Sequence, residues 1–161
     1  MASEFDSSCF ADAPPIAADV ERGVVRLFCR QDLFAVCEMP LPNGRRADLM
    51  AIDGRGGLTI VEIKVAKADL IGDGKWLDYL DYCDHFYWAV PPHLAHILEE
   101  DRYLPKAAGL IVADRYDAAI VRAAVHRPLA PARRKSEMLN FARRAARRLS
   151  AQIDPSLGEA N

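Results

Sequence analysis

Three short apolar runs fall close together along the chain, at Phe34-AVCEM, Arg46-ADLMAI and Leu58-TIVEIKV. Each is too short for a buried helix and is bounded by turn residues, so each reads as a β-strand. Pro40, Pro42, Asn43 and Gly44 separate the first pair, and Asp53-GRGG separates the second. The third run is apolar on both faces at its start, which marks a central strand. Upstream, Val20, Val24, Leu27 and Phe28 recur at helical spacing and predict a helix from Ile16 to Gln31. Downstream, the pattern predicts a helix from about Lys75 to Cys83, a strand at His85-FYWAV and a short surface helix over His93 to Glu99. Strands follow at Ala108-GLIVA and Ala118 to His126. A last helix is expected over about Ser136 to Ala151, with Met138, Ala142, Ala145 and Leu149 as its apolar face. The expected architecture is one α/β domain over residues 16–151, a mixed central sheet flanked by helices, with flexible tails at 1–15 and 152–161.

Charge breaks this pattern in two places. Asp48, Glu62 and Lys64 interrupt the apolar runs of the second and third strands. If Ile52 faces Leu58 across the turn, paired positions sum to 110, and Asp48 then faces Glu62. Directly opposed side chains stand only about 4.5–5.5 Å apart at Cβ, so two carboxylates there repel. Lys64 lies two residues beyond Glu62 and projects from the same face. Two readings follow. Either Lys64 simply pairs with Glu62 at the end of a sheet, or the carboxylates hold a hard divalent cation, Mg²⁺ or Mn²⁺.

The second break is at the C-terminus. The 161 residues carry a formal net charge of −2, yet between Arg133 and Arg148 seven basic residues stand against the single acid Glu137. On a helix Arg143, Arg144, Arg147 and Arg148 share a side, as a stripe that tracks phosphates or as a solvated face. The near-neutral average therefore does not exclude a polyanionic partner.

The opening residues lack an apolar signal region, and no run approaches the roughly 18 apolar residues of a membrane helix. Cys9, Cys29, Cys37 and Cys83 form no CxxC pair and read as reduced cysteines. A cytoplasmic, nucleoid-associated protein is expected. His93 and His96 are spaced HxxH but have no third ligand, and GRGG is too short for a phosphate loop.

Asp48 followed by Glu62-Ile63-Lys64 on the next strand resembles the PD-(D/E)XK nuclease motif, with Ala47 where a proline is usual. The longer run NGRRADLMAIDGRGGLTIVEIKVAKADLIGDGKWLDYLDYCDHFYWAVP resembles the MmcB-type family of bacterial DNA-repair proteins, which is assigned to that superfamily. The similarity extends from about Val20 to Pro128. It implies a restriction-endonuclease-like αβββαβ core and a metal-dependent endonuclease acting on DNA in repair, or a non-catalytic DNA-binding module on the same fold. It also implies Asp48 and Glu62 as ligands of Mg²⁺ or Mn²⁺, with the Ile63 carbonyl as a further ligand and Lys64 as the catalytic ammonium. Glu21 on the first helix is an additional acid by the same analogy, or a solvated helix charge. Glu38 is a secondary candidate. Lys75, Tyr79 and Tyr82 share a helical face, from which Lys75 would contact phosphate. Asp69 and Asp73 are unassigned. Nothing reads base edges, so the DNA is expected to be selected by structure or damage rather than sequence. A repair-protein partner or a homodimer completes the expectation.

Overall fold

The computed structural model describes residues 14–158, so the expected N-terminal tail lies almost wholly outside the described residues. Helix α1 spans Ala17–Arg30 and is followed by strands β1 (Phe34–Pro40), β2 (Arg46–Ile52) and β3 (Leu58–Ile63). Helix α2 (Lys67–Gly72) and a 3-10 helix (Trp76–Tyr82) precede β4 (His85–Val90). Two further 3-10 helices (Pro92–Glu99 and Asp101–Tyr103) lead to β5 (Gly109–Ala113) and β6 (Ala118–Arg122), and α3 (Pro131–Ile153) ends the fold. The strands form one six-stranded sheet in the order β1-β2-β3-β4-β5-β6. The β3–β4 and β4–β5 pairs are parallel, and the others antiparallel, giving the expected mixed sheet and α-β-β-β-α-β order.

Two apolar layers cover the sheet. On one face Val20, Val24, Leu27 and Phe28 of α1 pack with Leu49, Ala51, Val61, Ala89 and Ile111. On the other, Trp76, Tyr79 and Tyr82 pack with Met50, Ile60, Phe86 and Trp88, and Phe141 joins from α3. Trp76 meets Trp88 edge to face at 5.1 Å, a favoured geometry for aromatic quadrupoles.

The β2–β3 turn depends on its glycines and on Asp53. Gly56 sits at φ 82°, a left-handed conformation that glycine adopts without strain. The Asp53 carboxylate accepts the N–H groups of Arg55 and Gly57, both at 2.8 Å. The turn thereby fixes the register. Ile52 pairs with Leu58 and Leu49 with Val61, so paired positions sum to 110 as the sequence requires.

Some elements differ from the sequence expectation. The segment expected as a helix from Lys75 to Cys83 is the 3-10 helix Trp76–Tyr82, and α2 is an additional element. Gly72 and Gly74 separate the two pieces, and the Asp73 carboxylate accepts the Lys75 N–H at 3.0 Å. The face of α3 also differs. Glu137 and Phe141 are its buried residues, whereas Ala142 and Leu149 of the expected apolar face are exposed. Arg134, Arg144 and Arg148 are half-buried on the same side as Phe141. The helix extends to Ile153, and a 3-10 turn (Pro155–Gly158) follows where a flexible tail is expected.

Asp84 joins the layers electrostatically. It is buried just before β4 and accepts the N–H groups of Leu58 (2.8 Å) and Leu129 (3.0 Å). Arg134 of α3 meets both of its oxygens, at 2.7 and 2.6 Å, and also donates to the Gly56 carbonyl at 2.9 Å. One carboxylate thus ties α3 to the sheet and to the loop preceding α3.

Candidate active site

The β2–β3 ladder stops at Leu49–Val61, one position before Asp48 and Glu62. There, side chains replace backbone pairing. The Asp48 carboxylate accepts the Ile63 N–H at 2.8 Å, and the Asp48 N–H donates to Glu62 Oε1 at 3.3 Å. The strand alternation also breaks at this point. Cys37 and Leu49 pack in the α1-side layer, but the next pair, Met39 and Ala47, packs in the opposite one. Glu38, between Cys37 and Met39, takes the left-handed φ of 48°. Local departures of this kind re-aim side chains beside functional sites.

Lys64 completes the cluster. Its Nζ lies 2.9 Å from Asp73 Oδ2 and 3.7 Å from Glu62 Oε2. Glu62 is almost fully enclosed, with a side-chain exposure of 4% against 17% for Lys64 and 13% for Asp73. Tyr79 closes one side, its hydroxyl donating to the Arg46 carbonyl at 3.1 Å and approaching Glu62. Together Asp48, Glu62, Ile63, Lys64, Asp73 and Tyr79 border an open cleft of about 530 Å³. Arg45, Asp69 and Lys75 also line it.

The electrostatics follow from this enclosure. Burial and then the Asp48 charge push the Glu62 carboxyl up to about 8, only partly offset by Lys64. Burial likewise raises Asp48, against the Ile63 N–H and Lys64. Burial alone would lower Lys64, but the carboxylates of Asp73, Glu62 and Asp48 outweigh it and raise it. Burial and the same carboxylates raise the Tyr79 phenol, which therefore stays protonated.

Glu62 has a measurable consequence. Its carboxyl binds a proton more tightly in the folded than in the unfolded state, so its contribution to stability is present at acid pH and is lost as pH rises toward about 8. In metal-free buffer, Glu62→Gln is expected to flatten the decline in stability between about pH 5 and 8. Denaturant titrations at several pH values measure it, and parallel declines in both proteins would refute it.

The carboxylates suit a hard cation. Among the described residues no three His, Cys, Asp or Glu side chains converge as a metal-ligand group. Asp48 and Glu62 supply carboxylate oxygens on this side of the cleft, which Ile63 also lines, and Asp73 is occupied by Lys64. Such a set fits Mg²⁺, which takes one or two carboxylates and completes its shell with water and substrate oxygens. A cation there would add to the positive charge that Lys64 already brings to the two carboxylates.

The other candidate residues are distributed as follows. Lys75 and Tyr79 line the cleft, but Tyr82 is turned beneath α3, where the Arg133 guanidinium lies 4.5 Å from its ring centre. The tighter winding of the 3-10 helix separates residues that an α-helix would align. Glu21 is not among the cleft residues. It hydrogen-bonds the thiol of Cys37, whose proton is held up to about 11 by burial and by Glu21. Glu38 pairs with Arg46 at 3.6 Å. Arg143, Arg144 and Arg147 line a separate groove, which Arg148 does not border. His93 and His96 are exposed on a 3-10 helix. Arg45 is the cleft residue that the sequence does not single out. It is held by Asp78 at 2.8 Å, a contact between segments 33 residues apart.

The family model for DNA repair protein MmcB-like matches residues 9–156. The chain belongs to the MmcB-like family. The solved structure of a protein of unknown function from Silicibacter pomeroyi is similar to it, with 40% sequence identity, a TM-score of 0.79, and coverage of 90% of this chain and 95% of that one. A comparison with curated proteins finds no match. The MmcB-like family places the protein in DNA repair. Among its described residues no helix is long and apolar enough to cross a membrane.

Proposed function

We propose that this MmcB-like protein is a metal-dependent endonuclease that hydrolyses DNA phosphodiester bonds during repair. The observation that carries this reading is the convergence of Asp48, Glu62 and Lys64 in an open cleft, with the Glu62 carboxylate enclosed against the Asp48 backbone N–H and within 3.7 Å of Lys64 Nζ. Charges without a role are costly to enclose in this way.

When bound, Mg²⁺ or Mn²⁺ supplies Lewis acidity toward the phosphate and makes water a stronger acid. Asp48 and Glu62 would hold the cation, with the Ile63 carbonyl. The Ile63 N–H orients the Asp48 carboxylate, and Tyr79 restrains Glu62. Lys64 stabilises the charge that builds on the phosphate and the attacking oxygen. At rest it leans on Asp73, so an incoming phosphate competes with that carboxylate. Lys75 and Arg45, on the rim, contact the flanking phosphates. Selection is by DNA structure or damage, and any repair-protein partner or homodimer supplies further selectivity.

A second reading, a DNA-binding module without catalysis, draws on the same contacts. Lys64 is already satisfied by Asp73, and Asp48 by the Ile63 N–H.

Calorimetric titration with Mn²⁺ tests the cation site without requiring cleavage. Binding is expected for the wild-type protein and is expected to vanish in Asp48→Ala and in Glu62→Ala. Undiminished binding in both variants would move the cation elsewhere.

A further inference from the structure

A groove of about 710 Å³ lies apart from the cleft. It runs between the C-terminal half of α3 and the β1–β2 connection. Arg143, Arg144, Arg147 and Asn140 form one wall, and Pro40 and Pro42 the other, with Met39 beside them. We infer that this groove is a second DNA-binding site, which holds the phosphate backbone of a strand leading to the cleft. The inference rests on the DNA role but not on the chemistry of Asp48, Glu62 and Lys64.

Three observations carry it. First, α3 treats its arginines unequally. At its N-terminal end Arg134 is bound by Asp84, and Arg133 has Glu137 at 3.7 Å and the Tyr82 ring below it. Among the described residues none of Arg143, Arg144, Arg147 and Arg148 is in an ion pair. Second, the Nε of Arg144 is enclosed and has no hydrogen-bond partner, which is an uncommon state for a buried donor. Burial, Arg148 and Arg147 all act against its charge, and the negative charge of a bound anion would offset them. Third, this concentration of positive charge stands on a chain of net charge −2, so it is not a by-product of a basic protein. Glu38 is the acid near Arg144, and it already pairs with Arg46.

The occupant follows from the shape. Arg143 and Arg147 lie four residues apart, about 6 Å along the helix axis, so the basic residues follow the groove in a row, as befits a linear polyanion. Arginine forks suit phosphate oxygens, and Asn140 adds a neutral donor. Pro40 and Pro42 have no N–H to offer, so the opposite wall donates no backbone hydrogen bond at these positions. The same β1–β2 connection borders both recesses, through Pro42 on the groove side and Arg45 on the cleft side. A backbone lying in the groove therefore reaches the cleft by crossing one turn.

Fluorescence anisotropy with labelled single-stranded and duplex oligonucleotides, in EDTA and across a salt series, tests the inference. The wild type is expected to bind both. Arg143→Gln/Arg144→Gln/Arg147→Gln is expected to weaken binding by about tenfold or more, irrespective of sequence. The slope of log affinity against log salt should become shallower by about 0.9 for each duplex phosphate that is no longer neutralised. Arg143→Gln/Arg147→Gln changes exposed side chains alone and should show the same trend if Arg144 proves necessary for folding. A charge-matched control on other surfaces, Arg22→Gln/Arg55→Gln/Lys106→Gln, should lose much less. An unchanged slope in the groove variants, an equal loss in the control, or no binding by the wild type at low salt would each overturn the groove. Because no divalent cation is present, binding without cleavage under any condition would refute the cleft reading alone. Cleavage with an unaltered groove slope would refute the groove alone.

Discussion

Lys64→Ala is expected to retain the fold and most DNA affinity while losing cleavage by about 10²–10³-fold, the range for removing one well-placed donor from a site of developing charge. Lys64 is held within reach of Glu62 and Asp73 at the edge of the cleft, where its ammonium can follow charge from carboxylate to phosphate. The free protein gives up the 2.9 Å contact with Asp73, while Glu62 is already inclined to take a proton and so tolerates the loss of the ammonium. Affinity measured without metal should persist, since the groove arginines lie elsewhere. Lys64→Arg should rescue only partially, because a planar fork does not reproduce a compact point charge. Cleavage rate and affinity on one substrate, with circular dichroism as the folding control, measure the split. Equal rates for Lys64→Ala and wild type would remove this residue from the chemistry.

The largest expected loss of stability lies away from the cleft. Asp84→Ala should destabilise the fold by about 3–5 kcal/mol, the cost of breaking a buried ion pair from one side. The change leaves Arg134 without its partner and exposes the Leu58 and Leu129 N–H groups to an apolar surround. Asp84→Asn keeps some of the hydrogen bonds and should cost less. Burial pushes this carboxyl up, but Arg134 and the two backbone donors outweigh it and hold it at about 2. Its folded-state value is thus depressed, so its stabilisation is complete above the unfolded value near 3.9 and is lost as pH falls toward 2. Urea denaturation at neutral and acid pH measures both effects. A loss below about 1 kcal/mol at neutral pH would show that the Asp84–Arg134 pair does not anchor α3.

What can be read in the sequence is local. The hairpin register follows from one turn, because glycine and Asp53 leave few ways to close it, and a strand repeats every two residues. That alone brings Asp48 beside Glu62 and Lys64. Asp73 and Arg45 cannot be placed in this way. Asp73 enters the site through an irregular Gly-Asp-Gly link between α2 and the 3-10 helix, and Arg45 depends on a long-range contact with Asp78. The α3 face departs from its periodicity because hydrophobicity does not choose the buried side there. Arg134 is fixed by Asp84, which turns Glu137 and Phe141 inward and leaves Leu149 exposed. The two recesses on either side of the β1–β2 connection are likewise products of tertiary packing, so periodicity along the chain carries no sign of them.

Cleavage by the purified wild-type protein is the most direct measurement. It should be incubated with Mg²⁺ or Mn²⁺ on single-stranded, nicked, flapped, branched and cross-linked DNAs, beside Asp48→Asn and an EDTA control. The expected result is cation-dependent cutting of at least one structured substrate, absent in EDTA and in Asp48→Asn. Cutting that persists in Asp48→Asn, or no cutting of any substrate by the wild type with either cation, would contradict a metal-dependent nuclease built on Asp48, Glu62 and Lys64.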